Sequence, residues 1–225
     1  MPVRAYPAPD LDLPRDNEIL AHVLRQHITT LSVIEDLFFG GLHYDTTRKV
    51  VRRLVAANYL VRYPLYGNFD YFRLGKAAIS RWGYPRTRQP ALGSQRLPYE
   101  LGCLALCCMA EGKRLRLHAS ELLSIFPWFP ESLTQWAYLY EKSVLTTIRV
   151  ECTAFGATVL EKLGSQLHDY QVDPNFRALV QAQRFRFAVV TASEQQELAL
   201  IKALEKSGFP VAVHTAHYSE LIRFI

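Results

Sequence analysis

The apolar residues of the first third of the chain change period part-way, and that change limits the architectures open to it. Ile19, Leu20, Val23, Leu24 and Ile28 fall on one stripe at helical spacing, as do Val33, Ile34, Leu37 and Phe38, and then Val50, Val51, Leu54 and Val55. Thr29-Thr30 separates the first two stripes, Gly40-Gly41 stops the second, and Asp45 or Thr46 is placed to cap the third. From Tyr59 the period is two. Residues 59–63 read as a strand, Tyr66-Gly67-Asn68 as a turn and residues 69–74 as the returning strand, with a short helix over 76–82. Three short helices followed by a hairpin is the order of a winged helix-turn-helix domain, expected here over residues 15–83.

The remaining organisation follows from the breakers. Prolines 2, 7, 9 and 14 make residues 1–14 an extended arm, and Pro85, Pro90, Gly93 and Pro98 mark 84–98 as a linker of little apolar content. Residues 99–225 alternate: a helix over 101–109, a short strand over 114–118 and a hairpin of 136–141 with 146–151 around Lys142-Ser143. Helices over 155–170 and 174–182 come next, then a strongly apolar strand over 185–191, a helix over 194–206 ended by Gly208 and a strand over 211–215. Strands separated by helices imply a mixed sheet covered on its faces, so the expected class is α+β: a winged helix followed by an α/β domain.

Composition excludes several classes. Half of the chain is apolar and 12% aromatic, which is incompatible with wholesale disorder. No apolar run reaches the ~18 residues of a membrane span, and Met1-Pro2-Val3-Arg4 has no signal core, so no membrane partner and a cytoplasmic location are expected. Of the four cysteines, Cys103, Cys107 and Cys108 lie on one apolar stretch with Cys152 apart. Cys103 and Cys107 share a helical face, where a redox switch is conceivable, but a reducing compartment favours plain core packing. No CxxC pair, HExxH, nucleophile elbow or phosphate-binding glycine loop occurs, and the seven histidines are scattered. No catalytic residue, metal or cofactor is expected on these grounds.

The net charge of +5 is unevenly placed. Residues 1–96 carry 14 Lys and Arg against 8 Asp and Glu, whereas 97–225 carry 12 against 13. All the surplus positive charge therefore lies with the expected winged helix. Its third helix reads Asp45-Thr46-Thr47-Arg48-Lys49-Val50-Val51-Arg52-Arg53-Leu54-Val55. Burying the valines and Leu54 leaves Arg48, Lys49, Arg52 and Arg53 outward, a face suited to the major groove, with Thr46 and Thr47 near the helix start in reach of phosphate or a base edge. The hairpin adds Arg62, Tyr66, Asn68, Tyr71 and Arg73 for phosphate or minor-groove contact. The alternative is a solvated basic face, against which stands the lack of any acidic partner on the helix after Asp45.

The layout from residue 15 to 191 resembles the replication-relaxation family of plasmids and conjugative elements. The likeness rests on Arg53-Leu54-Val55-Ala56-Ala57-Asn58-Tyr59-Leu60-Val61-Arg62 and Tyr71-Phe72-Arg73-Leu74-Gly75-Lys76. It continues in Ile148-Arg149-Val150-Glu151, Leu167-His168-Asp169-Tyr170 and Phe187-Ala188-Val189-Val190-Thr191. It implies DNA processing or replication control on a mobile element, and a second domain similar to a restriction-endonuclease sheet. Glu151 matches one acidic position of that pattern. Gln135-Trp136 stand where the other acid is expected, and Glu151-Cys152-Thr153 lacks the lysine, so the second domain is read as a degenerate scaffold.

The expectation is a sequence-selective protein for double-stranded DNA, a transcription regulator or an accessory factor for replication or transfer. It is expected to act as a homodimer, with proteins of a replication or transfer complex as possible partners. One rival is a metal-dependent nuclease using Glu151 with a second acid such as Glu141; another is an interaction module of a transfer complex. The apolar segment 221–225 either contacts a second copy or folds back on its own sheet.

Overall fold

Pro14, whose missing N–H costs nothing in a first turn, opens α1 (Pro14–Gln26), which ends where His27 takes a φ of 69°. This is a computed structural model, and it describes residues 13–40, 42, 44–83, 89–110 and 113–224. Most of the expected arm and residues 84–88 of the expected linker lie outside them. The chain divides into two compact units, Met1–Gly93 and Ser94–Ile225. Both mix helix and strand, and the second holds a mixed four-stranded sheet.

In the first unit, Thr29-Thr30 is more than an interruption. It forms a two-residue strand, β1 (Thr29–Thr30), and the Thr30 hydroxyl accepts the Val33 N–H at 3.3 Å to cap α2 (Leu31–Phe38). The third helix, α3 (Tyr44–Ala56), begins earlier than expected, so Asp45 sits inside the first turn, where its charge complements the helix dipole. Strands β2 (Leu60–Tyr66) and β3 (Phe69–Leu74) pair antiparallel about Gly67-Asn68, and Gly67 adopts the positive φ of 50° that the tight turn needs. The sheet order is β1-β3-β2, which makes β3 the central strand, and α4 (Lys76–Trp82) follows. Ile19, Leu20 and Val23 of α1, Ile34 of α2, Val51 and Leu54 of α3 and Phe72 and Leu74 of β3 form one core. The expected stripes are the ones buried. Gly75 lets the chain pass beneath the α3–β2 connection: a Cβ there would lie 2.1 Å from the Asn58 carbonyl oxygen.

The second unit opens with α5 (Arg96–Leu104), which starts inside the expected linker and continues as a π-helical turn over Ala105–Met109. Residues 114–118 do not form a strand; Arg116 alone bridges Leu139. A helix not read from the sequence, α6 (Ala119–Ile125), has the Glu121 carboxylate accepting the His118 N–H at 2.8 Å. Strands β4 (Ala137–Glu141) and β5 (Val144–Glu151) form a hairpin whose turn residues Lys142 and Ser143 have φ of 49° and 65°. After α7 (Gly156–Gln171) and α8 (Pro174–Gln181), β6 (Phe185–Thr191) joins β5 in parallel. After α9 (Glu194–Ser207), β7 (Ala212–His217) joins β6 in parallel.

The sheet runs β4-β5-β6-β7. One face, with Tyr138, Leu145, Phe185, Phe187 and Val189, packs on α7, α8 and α9 through Leu163, Leu167, Phe176 and Leu200. The opposite face meets α5, where Gly102 permits close approach: a Cβ would come within 2.6 Å of the Val150 methyls. On that helix Glu100 is buried and paired with Arg116 at 2.5 Å and with Arg96 at 2.6 Å. Cys103 and Cys107 are buried beside it as free thiols, and burial pushes Cys107 up to about 12, far from a reactive thiolate. The closing turn, Ser219–Phe224, buries Leu221 completely and leaves Ile222 59% exposed, so the fold-back alternative holds for Leu221. No described helix is long and apolar enough to cross a membrane.

Candidate nucleic-acid interface

Helix α3 sorts its cations by position. Arg48, Lys49 and Arg52, at i, i+1 and i+4, are exposed, and among the described residues no carboxylate pairs with them. The Arg48 guanidinium lies over the exposed Tyr44 ring, 5.4 Å from its centroid, which stiffens the side chain without cancelling its charge. Thr46 is half-buried beside them.

Arg53 does not belong to this face. It bonds the carboxylate of Asp16 on α1, and their side chains are 19% and 2% exposed. The spacing signals this: Asp16 precedes Ile19, Leu20 and Val23 by three, four and seven residues, which puts it on the buried stripe of α1. Thr47 is corrected by the same geometry. It lies three and four residues before Val50 and Val51 and is fully buried, out of reach of any DNA.

The hairpin divides likewise. Tyr71 and Arg73 are 1% and 7% exposed, because β3 is covered on both faces. The helical core lies on one side and residues 89–92 on the other: Arg73 donates to the Pro90 carbonyl, the Tyr71 hydroxyl accepts the Leu92 N–H at 2.9 Å, and Tyr63 donates to the Gln89 carbonyl at 2.7 Å. Part of the expected linker is therefore a strap over the hairpin, and alternation alone cannot reveal a cover supplied from twenty residues away. Arg62 is exposed but bonded to Asp70 at 2.8 Å, which offsets much of its charge. Asn68 is exposed at the turn, and Tyr66 is half-buried with its ring 5.3 Å from that of Phe69. Phe69, 63% exposed at the tip, is absent from the residues expected from sequence although Asn68 beside it is among them.

In the second unit the Glu151 carboxylate is fully occupied. It accepts from Arg149 Nε at 2.6 Å and from Lys162 Nζ at 2.9 Å, and is 7% exposed. Glu141 and Glu151 sit at the two ends of the β4–β5 hairpin, seven strand residues apart along β5 and so roughly 23 Å, too far to share an ion. Among the described residues no three His, Cys, Asp or Glu side chains converge as a metal-holding group. His217 meets Glu197 at 2.6 Å across the β7–α9 packing.

No family model, curated protein or solved structure matches the chain. The functional reading accordingly rests on the side chains themselves.

Proposed function

We propose that the chain binds double-stranded DNA through its first unit, a winged helix in which α3 is the recognition helix and the β2–β3 hairpin is the wing. The observation that carries this is the face formed by Arg48, Lys49 and Arg52, three exposed cations on consecutive turns with no carboxylate partner among the described residues. An arginine on such a helix donates two hydrogen bonds to a guanine edge in the major groove, and its neighbours neutralise phosphates. The wing presents Asn68 and Phe69, a polar hydrogen-bonding group and an apolar ring suited to sugar and minor-groove contact. Among the eleven residues marked in the sequence, Thr47, Arg53, Tyr71 and Arg73 instead build the scaffold that holds this surface.

The resemblance to replication-relaxation proteins supplies a context, regulation or an accessory role on a mobile element. A single recognition helix reads a short half-site, so sequence selection calls for two copies, and the second unit is the proposed site of self-association or partner docking. Selection of bound fragments from a random duplex pool by the full chain tests the function. An enriched motif, palindromic for a homodimer, supports the reading. A pool with no retained duplex at physiological salt defeats it.

A further inference from the structure

We propose that the second unit carries a binding site for a small phosphorylated molecule, on the half of the sheet face that α5 leaves open. A cavity of about 300 Å³ lies there, at the low end of the range for small-ligand sites. Strand register builds its floor: Leu139 of β4 pairs with Thr146 of β5, Thr146 with Arg186 of β6, and Ala188 of β6 with His214 of β7. Arg114 comes from the segment after the π-helical turn, and Lys142 from the β4–β5 turn.

Three permanent cations, Arg114, Lys142 and Arg186, thus face a cavity containing one carboxylate, Glu141, a surplus of two positive charges. Each guanidinium group is held by a neutral partner, and Arg186 also shares the Glu141 carboxylate. Arg186 donates its Nε to the Thr146 hydroxyl at 2.8 Å, and its Nη2 makes a long ion pair with Glu141 at 3.6 Å. Arg114 donates to the Leu106 carbonyl at 3.1 Å. Each fork is thereby oriented, and the single Glu141 carboxylate leaves the surplus of two charges for a ligand. His214, held below the usual histidine range by burial and by Arg114 and Arg186, adds a neutral hydrogen-bonding ring at the rim. Rigid, converging, under-neutralised donors match a phosphate dianion in charge and in bidentate geometry. Leu139 and Ala188 form an apolar floor for the ligand's organic part. This inference is independent of DNA binding by the first unit.

The test titrates the full chain with inorganic phosphate, pyrophosphate and ribose 5-phosphate, by calorimetry and thermal melting without DNA. Ribose and sodium chloride at matched ionic strength serve as controls. The site predicts saturable heat and a raised melting temperature with at least one phosphorylated probe and with neither control. Arg114→Gln and Lys142→Asn should each weaken the response about tenfold. Lys142 lies in an exposed turn at a φ of 49°, a conformation asparagine tolerates, so that variant folds even where the arginine variant does not. No saturable response to about 10 mM probe, an equal response to chloride, or a Lys142→Asn variant that binds like wild type would each overturn the proposal.

Discussion

Arg53 and Arg52 are neighbours in sequence with opposite physical roles, and exchanging each for alanine separates them. Arg52 is exposed, so its loss should leave folding within about 0.5 kcal/mol of wild type. Arg53→Ala removes the guanidinium that neutralises Asp16, whose carboxylate is 2% exposed. Breaking a fully buried ion pair from one side costs about 3–5 kcal/mol; with the Arg53 side chain 19% exposed, about 2–3 kcal/mol is the appropriate figure. For a unit of this size each kcal/mol moves the melting temperature by roughly 4–8 °C, so the first unit should melt about 10–20 °C lower in a calorimetric scan of the full chain. Asp16→Ala added to Arg53→Ala should cost less than the sum of the two single changes, because the two side chains share one interaction. Arg53→Ala melting within about 3 °C of wild type, or a double variant whose loss equals the sum of the single ones, would refute the assignment of Arg53 to the scaffold.

Three further outcomes follow from buried groups. His22, bonded to the Thr29 hydroxyl at 3.0 Å and edge-on to Phe38, has its pKa lowered by burial to about 4 from 6.5. The unfolded chain therefore takes up the proton first, and stability should fall by about 2–3 kcal/mol as the pH drops from 6.5 towards 4; urea midpoints should show this in wild type and much less in His22→Leu. Gly75→Ala should destabilise the first unit by more than about 3 kcal/mol, since the new Cβ meets backbone rather than a movable side chain; a denaturation midpoint near wild type would contradict this. Arg116→Met takes the more deeply buried of two cations from Glu100, which keeps Arg96, and should cost the second unit about 2–3 kcal/mol by urea denaturation; a midpoint like wild type's would contradict this.

The helical stripes were legible because their residues bury in the pattern that a period of 3.6 dictates, and Gly67 marks its turn because glycine takes a positive φ without a Cβ penalty. What local pattern could not supply came from distant pairing. Two-residue β1 makes β3 a central strand, and residues 89–92 cover its outer face, so Tyr71 and Arg73 turned from expected contacts into core. Arg53 looked like its neighbours because the partner that claims it, Asp16, lies on another helix. The anionic-ligand cavity was invisible for the same reason. Arg114, Lys142 and Arg186 come from a loop, a turn and a strand that only the tertiary fold brings together, and their mutual proximity has no signature along the chain.

The claim that Arg48, Lys49 and Arg52 form a DNA-binding face is tested most directly by the salt dependence of duplex binding. Fluorescence anisotropy of a labelled duplex, titrated with the full chain over a range of sodium chloride concentrations, gives the slope of log K against log salt. Each phosphate neutralised contributes about 0.9 to that slope, so replacing all three residues with alanine should flatten it by roughly 2–3 and weaken binding strongly at physiological salt, with the melting temperature preserved. Wild type and triple variant sharing one slope and one affinity, or a wild-type chain with no salt-dependent affinity for duplex, would contradict it.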